Sequence, residues 1–174
     1  CPAKEMTEKF TVVLKAHIAL ASARLPQGVS GNAADIICRS VMWRRGLDYK
    51  HGTGHGVGCF LNVHEGPQNF SLHASSYPLA ENMIVSIEPG YYRENAFGIR
   101  IENLARIVVD EESGMLKFAV LTLAPLDKRL IDKYLLTDEE ISWLNDYHRD
   151  VLQKVSPYLT EEEKIWLKEA CSSL

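Results

Sequence analysis

An α+β fold is predicted for this chain, on three observations. Apolar residues recur at helical spacing near both ends. Between them lie stretches with a strand-like apolar pattern, at 83–88, 99–109 and 115–123, separated by turn-forming residues. Strands and helices do not alternate along the chain, as a parallel sheet would require, so the strands are expected to pair antiparallel.

The elements follow in order. Lys4 to Arg24 reads as a long helix, with Met6, Phe10, Val13, Leu14, Ile18 and Ala21 three and four residues apart. His17 lies beside that stripe and reads as structural. The Pro- and Gly-containing turn at 25–31 ends the helix. Ser30 or Asn32 caps a second helix running to Arg45, and Gly46 suits the residue after its end. Its inner face is expected from Ala33, Ile36, Ile37, Val41 and Trp43. Lys50–His64 fits neither template. Glycine stands at 52, 54, 56 and 58, which makes a poor helix and a weak strand but suits a backbone that passes close to something else. Three of the six histidines, His51, His55 and His64, sit in this stretch. In extended chain His51 and His55 share one face. Residues 69–80 are polar and turn-like, with His73 on the surface. Met83–Glu88 is a strand stopped by Pro89-Gly90, 91–97 a polar link, Ile99–Val109 a second strand, and Met115–Leu123 a third. Pro125 to Arg129 is a connector. Two amphipathic helices, Thr137–Val155 and Thr160–Ala170, each open with a capping box, Thr137 with Glu140 and Thr160 with Glu163.

Bulk properties narrow the function. The chain has 174 residues, 46% of them apolar, and a net charge of −4. That supports one packed domain or the larger part of one. No basic patch points to nucleic acid, and no apolar run approaches a membrane span. The four cysteines, Cys1, Cys38, Cys59 and Cys171, form no close pair, which fits reduced thiols and a cytoplasmic location. Cys59 is expected to be buried as a small apolar residue. The chain starts Cys1-Pro2 and enters a helix pattern at once, so it is expected to be cut from something longer.

Two glutamates carry the chemical argument. If the strands form a hairpin turning near Asn95, residues whose numbers sum to 190 face each other, and Glu88 meets Glu102. Opposed residues have Cβ atoms roughly 4.5–5.5 Å apart. Two carboxylates at that distance repel, so one takes a proton or a cation sits between them. The alternative is that one faces solvent while the other pairs with Arg100 or Arg106. Adding His55 makes a mixed nitrogen and oxygen set suited to manganese, cobalt, zinc or iron. Such an ion polarises a carbonyl and acidifies water, so the combination points to metal-assisted amide hydrolysis.

Three motifs, HGTGHGVGCFLNVHEGP at 51–67, IEPGYY at 87–92 and FGIRIEN at 97–103, resemble those of aminopeptidase P of the eukaryotic type. The resemblance spans essentially the whole chain. It implies the pita-bread fold of the creatinase-like metallopeptidases, present here without its upstream part. That fold has a curved antiparallel sheet with flanking helices. Residues 1–136 would be the C-terminal part of the catalytic core and 137–174 a helical extension. It also implies two divalent ions, most often manganese, with zinc or cobalt as alternatives, held by two Asp, one His and two Glu. His55 matches the metal-binding His, Glu88 a metal-binding Glu that is also the candidate general base, and Glu102 the bridging Glu. His64 matches a substrate-binding His, and His51 one that places substrate or shuttles protons. Arg100 matches a residue supporting the carboxylates, and Tyr92 lines the pocket. The implied reaction releases the N-terminal residue from peptides with proline second, and a homodimer is compatible with the resemblance.

The departure from the family pattern is at the two Asp ligands. Nothing here matches them: Asp35 and Asp48 lie in the second helix and just past its end. Three of five ligands are therefore expected, with weak or absent metal occupancy and no turnover by these residues alone. Ile101 and Val108 would then lie on an uncovered edge or apolar patch. Prolidase and methionine aminopeptidase share the His and Glu positions on the same fold. A metal-free pita-bread module that binds peptides or histones is the non-enzymatic alternative.

Overall fold

The computed structural model describes residues 2–60, 62–73 and 76–174. They fall into two compact units, Val12–Thr122 and a second made of the residues up to Thr11 with Leu123–Leu174. Among the described residues, no helix is long and apolar enough to cross a membrane.

In the larger unit, helix α1 (Lys4–Ala21) continues from Val12 onwards as a core helix. Val12, Val13, Leu14, Ala16 and Leu20 are each at most 1% exposed, so burial extends well beyond the predicted stripe. His17 is buried among them. Helix α2 (Gly31–Trp43) differs from its expected packing. Ile36 and Trp43 are exposed and Ala33, Ile37 and Val41 half-buried, while Ala34, Asp35, Cys38, Arg39 and Met42 turn inward. An apolar count misplaces this face because the helix buries an ion pair, Asp35 with Arg39.

The glycine-histidine segment contributes the two-residue strand β1 (Gly54–His55), paired with β2 (Asn69–Phe70). It also runs along β3 (Ile84–Ile87): Val57 N–H donates to the Ile84 carbonyl and Glu88 N–H to the Thr53 carbonyl. A Cβ on Gly54 would stand 1.9 Å from the Ser86 carbonyl oxygen, and one on Gly56 2.1 Å from that of Glu65. The segment fits between its neighbours only because these side chains are missing. Cys59, contrary to expectation, is exposed, on the turn that the Gly58 N–H closes to the Asn62 carbonyl.

Beyond β3, the polar link proves to be strand β4 (Gly90–Arg93), paired with β5 (Phe97–Arg100). The loop between them turns on Asn95, whose φ is +57°. The single strand expected over 99–109 is divided into β5 and β6 (Asn103–Val109). Pro89 lies opposite the break and has no N–H for the ladder. Register is kept across it, since Ile101 N–H donates to the Pro89 carbonyl. β3, β6 and β7 (Leu116–Val120) form one antiparallel sheet in that order. Ile101 is buried and Val108 half-buried, so Ile101 does not join an exposed patch.

In the smaller unit, α3 (Asp138–Val155) and α4 (Glu161–Ala170) open with both predicted capping boxes. Leu144, Val151 and Leu167 are buried. The buried His148 accepts the Leu126 N–H at Nε2, 3.0 Å away. Burial, aided by the nearby Lys128 charge, lowers its pKa to about 4.

Candidate metal centre

Two ladders set the geometry. Ile84 to Ile87 pair with Arg106 to Asn103, and Gly90 to Arg93 pair with Arg100 to Phe97. Every pair sums to 190, so the common register puts Glu88 across from Glu102 in the gap between the ladders. His55 joins them from the glycine-rich segment, tied to β3 by its own N–H on Ser86 Oγ. Among the described residues, His55, Glu88 and Glu102 offer ligand atoms all within 4.8 Å of one another. Glu88 is buried, His55 half-buried and Glu102 exposed.

Hydrogen bonds decide which atoms are free. His55 Nδ1 lies 3.0 Å from the Gly56 carbonyl, which can only accept, so the proton of the neutral ring sits on Nδ1. Nε2 then carries a lone pair, 3.2 Å from Glu88 Oε1. A lone pair facing a carboxylate oxygen is stable only with a proton or a metal ion between them. Ser86 Oγ donates to the same Glu88 Oε1 at 3.0 Å, and Arg100 Nη1 to Oε2 at 3.1 Å. This donor set fits a divalent cation of the manganese, cobalt or zinc type.

Beside the glutamates runs a chain of polar contacts. Arg100 Nε donates to Tyr92 Oη at 2.8 Å, and Tyr92 Oη lies 2.9 Å from His51 Nε2. His51 Nδ1 faces the Gly52 carbonyl at 2.8 Å, so Nδ1 holds the proton and Nε2 accepts from the Tyr92 hydroxyl. The bond to Tyr92, reinforced by the charge of Glu88, raises the Arg100 pKa further. His64 is exposed and lies against His55, ring centroids 4.2 Å apart. All seven residues singled out in the sequence therefore meet in one region. A separate cleft of about 640 Å³, lined by Leu126, Lys128, Trp166 and others of the smaller unit, contains none of them.

Sequence reasoning missed the support behind the histidines. Arg39 Nε donates to Asp35 Oδ2 at 2.8 Å, Nη1 to Asp48 Oδ1 at 2.7 Å and the Tyr49 carbonyl at 2.8 Å, and Nη2 to the His51 carbonyl at 2.6 Å. Burial opposes the Arg39 charge, but the bond to Asp35, helped by Tyr49 and Asp48, more than offsets it and the pKa is raised. An Asp and an Arg four apart on a helix were visible in the sequence; that they face inward was not.

Comparison with known proteins agrees with this geometry. Residues 1–110 match the model of metallopeptidase family M24, and residues 114–174 that of the C-terminal region of M24 peptidases. The chain is 48% identical over 173 residues to aminopeptidase P1 of Lotus japonicus, covering 92% of this chain and 26% of that protein. It is 43% identical to an Xaa-Pro aminopeptidase of Caenorhabditis elegans, covering 99% of this chain and 30% of that protein. The crystal structure of an X-prolyl aminopeptidase from the same organism, described as a cytosolic enzyme with a di-nuclear active site, superimposes with a TM-score of 0.93 at 43% identity. It covers 100% of this chain and 30% of that one. A prolidase from Pyrococcus furiosus superimposes with a TM-score of 0.58 at 30% identity, over 68% of this chain and 33% of its own. The chain thus spans between a quarter and a third of the curated relatives it matches. With its helices, antiparallel ladders and His-Glu-Glu cluster in the pita-bread arrangement, the chain belongs to metallopeptidase family M24.

Proposed function

We propose that the protein to which this chain belongs is an Xaa-Pro aminopeptidase, hydrolysing the first peptide bond of substrates with proline second. The observation that carries this reading is the His55 Nε2 lone pair held 3.2 Å from Glu88 Oε1, with a Glu102 oxygen in the same cluster. His55, Glu88 and Glu102 would hold divalent metal, manganese by preference and zinc or cobalt as alternatives. A bound ion would polarise the scissile carbonyl and make water acidic enough to attack near neutral pH.

The side chains then have distinct tasks. Glu88 accepts the proton of the attacking water, its carboxylate held in orientation by Ser86 and Arg100. Glu102, more open to solvent, would be the carboxylate shared between two ions. His64 faces solvent beside His55 and donates to the substrate carbonyl as negative charge develops there. His51 and Tyr92 line the adjoining wall, where their hydrogen bond places the substrate and passes a proton.

Five ligands are needed for the two-ion centre that the resemblance implies, and the described residues offer three in one cluster. Asp35 and Asp48 are both engaged by Arg39 and do not complete it. We therefore read these 174 residues as the C-terminal part of one catalytic domain, weakly metal-binding and inactive alone, in a cytoplasmic protein that can form a homodimer. Aminopeptidase P is favoured over prolidase by identity: 43–48% to relatives named aminopeptidase P or Xaa-Pro aminopeptidase, over nearly the whole chain, against 30% to the Pyrococcus furiosus prolidase. The test is hydrolysis of Arg-Pro-Pro with added Mn²⁺ by this chain and by a version extended upstream. Activity only in the longer form supports the reading. Activity in the short form would show that the ligands are misassigned. Cleavage of Xaa-Pro dipeptides but not tripeptides would indicate prolidase. Inactivity of a folded, metal-loaded long form would indicate a binding module.

A further inference from the structure

We propose that the buried Asp35–Arg39 pair of α2 is a positioning device for the metal centre, fixing both His51 and Glu88 through the backbone of 49–53. The inference rests on the peptidase reading for its kinetic consequence but not for its structural one.

Asp35 is fully buried, Arg39 is 3% exposed and Thr53 is fully buried. Asp35 uses both oxygens. Oδ2 takes Arg39 Nε, and Oδ1 takes the Thr53 hydroxyl at 2.6 Å and the Thr53 N–H at 3.3 Å. Arg39 spreads the rest of its fork over the carbonyls of Tyr49 and His51, and its guanidinium carbon stands 4.1 Å over the Tyr49 ring. The Tyr49 hydroxyl contacts Thr53 Oγ1. One ion pair therefore grips the chain at 49, 51 and 53.

That segment carries two connections into the site. His51 presents Nε2 to Tyr92 from a backbone whose carbonyl Arg39 holds. The Thr53 carbonyl accepts the Glu88 N–H at 2.7 Å, so a bond from the gripped segment sets the backbone of a proposed ligand. Glycines at 52 and 54 flank Thr53 and give this stretch little stiffness of its own. Lysine cannot replace Arg39, because a point charge cannot reach Asp35, Asp48 and two carbonyls together. Neither residue reaches the region where substrate would sit, so both are positioning residues.

The experiment uses the full-length protein, as wild type, Arg39→Lys, Thr53→Val, Thr53→Ser and, as a control for general destabilisation, Leu116→Ala. Three quantities are measured: thermal midpoint, hydrogen exchange by peptide in metal-free protein, and kcat and KM for Arg-Pro-Pro with Mn²⁺. Thr53→Val keeps the shape and deletes the hydroxyl, and Thr53→Ser restores it. Exchange should quicken in 51–57 and at Glu88 in Arg39→Lys and Thr53→Val, and stay near wild type in Thr53→Ser. The same two variants should lose about 100-fold in kcat with KM within about twofold, the expected result of a misplaced reacting group. Leu116→Ala should lower the midpoint without either effect. Exchange that rises evenly over the protein, or that is unchanged at Glu88, would overturn the proposal. So would wild-type kcat in Arg39→Lys. If wild type itself fails to cleave the peptide, the peptidase reading falls. The local exchange pattern still decides whether Asp35–Arg39 holds the segment. Should Arg39→Lys not fold, the Thr53 pair decides the same question.

Discussion

The proposed metal-binding role of His55 depends on a single hydrogen bond. Its Nδ1 proton is committed to the Gly56 carbonyl, so the lone pair on Nε2 turns to the glutamates. His55→Ala or Glu88→Gln in the full-length protein should weaken Mn²⁺ binding by at least about 100-fold in calorimetry, since the loss of supporting groups alone costs 10- to 100-fold. Tyr92 invites a milder test. It is 46% exposed, and its hydroxyl joins Arg100 to His51. Tyr92→Phe should leave the thermal midpoint unchanged and lower kcat by about 100-fold, the low end of the range for a positioned proton-transfer group. A variant with wild-type kcat would remove Tyr92 from the site.

Elements contribute through fit and capping. The glycine-rich segment lies along β3 because Gly54 has no side chain to meet the Ser86 carbonyl. Gly54→Ala should lower stability by about 3 kcal/mol, near the upper end for overpacking, and denaturant unfolding would measure it. In α3, His148 gives a pH signature. Its folded pKa of about 4 lies below the 6.5 of the unfolded chain, so the unfolded state takes up the proton first. Its contribution is complete above pH 6.5 and is lost as pH falls through 4, by roughly 3 kcal/mol in all. His148→Gln keeps an acceptor for the Leu126 N–H and does not titrate. Its unfolding free energy should therefore fall less than that of wild type between pH 7 and pH 4. Parallel curves would mean that His148 takes up its proton alike in the folded and unfolded states.

At the scale of the molecule, the hairpin register unites the centre. Glu88 and Glu102 are 14 positions apart in sequence, and His55 is 33 before Glu88, yet their ligand atoms lie within 4.8 Å. The prediction at this scale concerns completeness. Titrated with Mn²⁺, these 174 residues should bind weakly and without the two-site stoichiometry expected of the full-length protein; tight binding of two ions would show that the ligands are all present here.

Much of this was written in the chain itself, where the physics is local. Helical periodicity placed α1 and α4, the Thr-x-x-Glu pattern placed the caps of α3 and α4, and alternating glycine announced a close backbone approach. The hairpin register also followed, because a turn residue tolerant of positive φ at Asn95 sets which residues oppose. Burial of the Asp35–Arg39 pair, exposure of Ile36, Trp43 and Cys59, and the break between β5 and β6 did not follow. Each depends on partners distant in sequence: a buried charge is stable only when another segment supplies its hydrogen bonds, and a strand divides only where the residue across from it, here Pro89, lacks a donor. Residue types and spacing named the candidate metal donors that the fold brings together. Which nitrogen of His55 is free, and what holds His51 and Glu88 in place, was settled by packing, because hydrogen-bond partners are chosen in space.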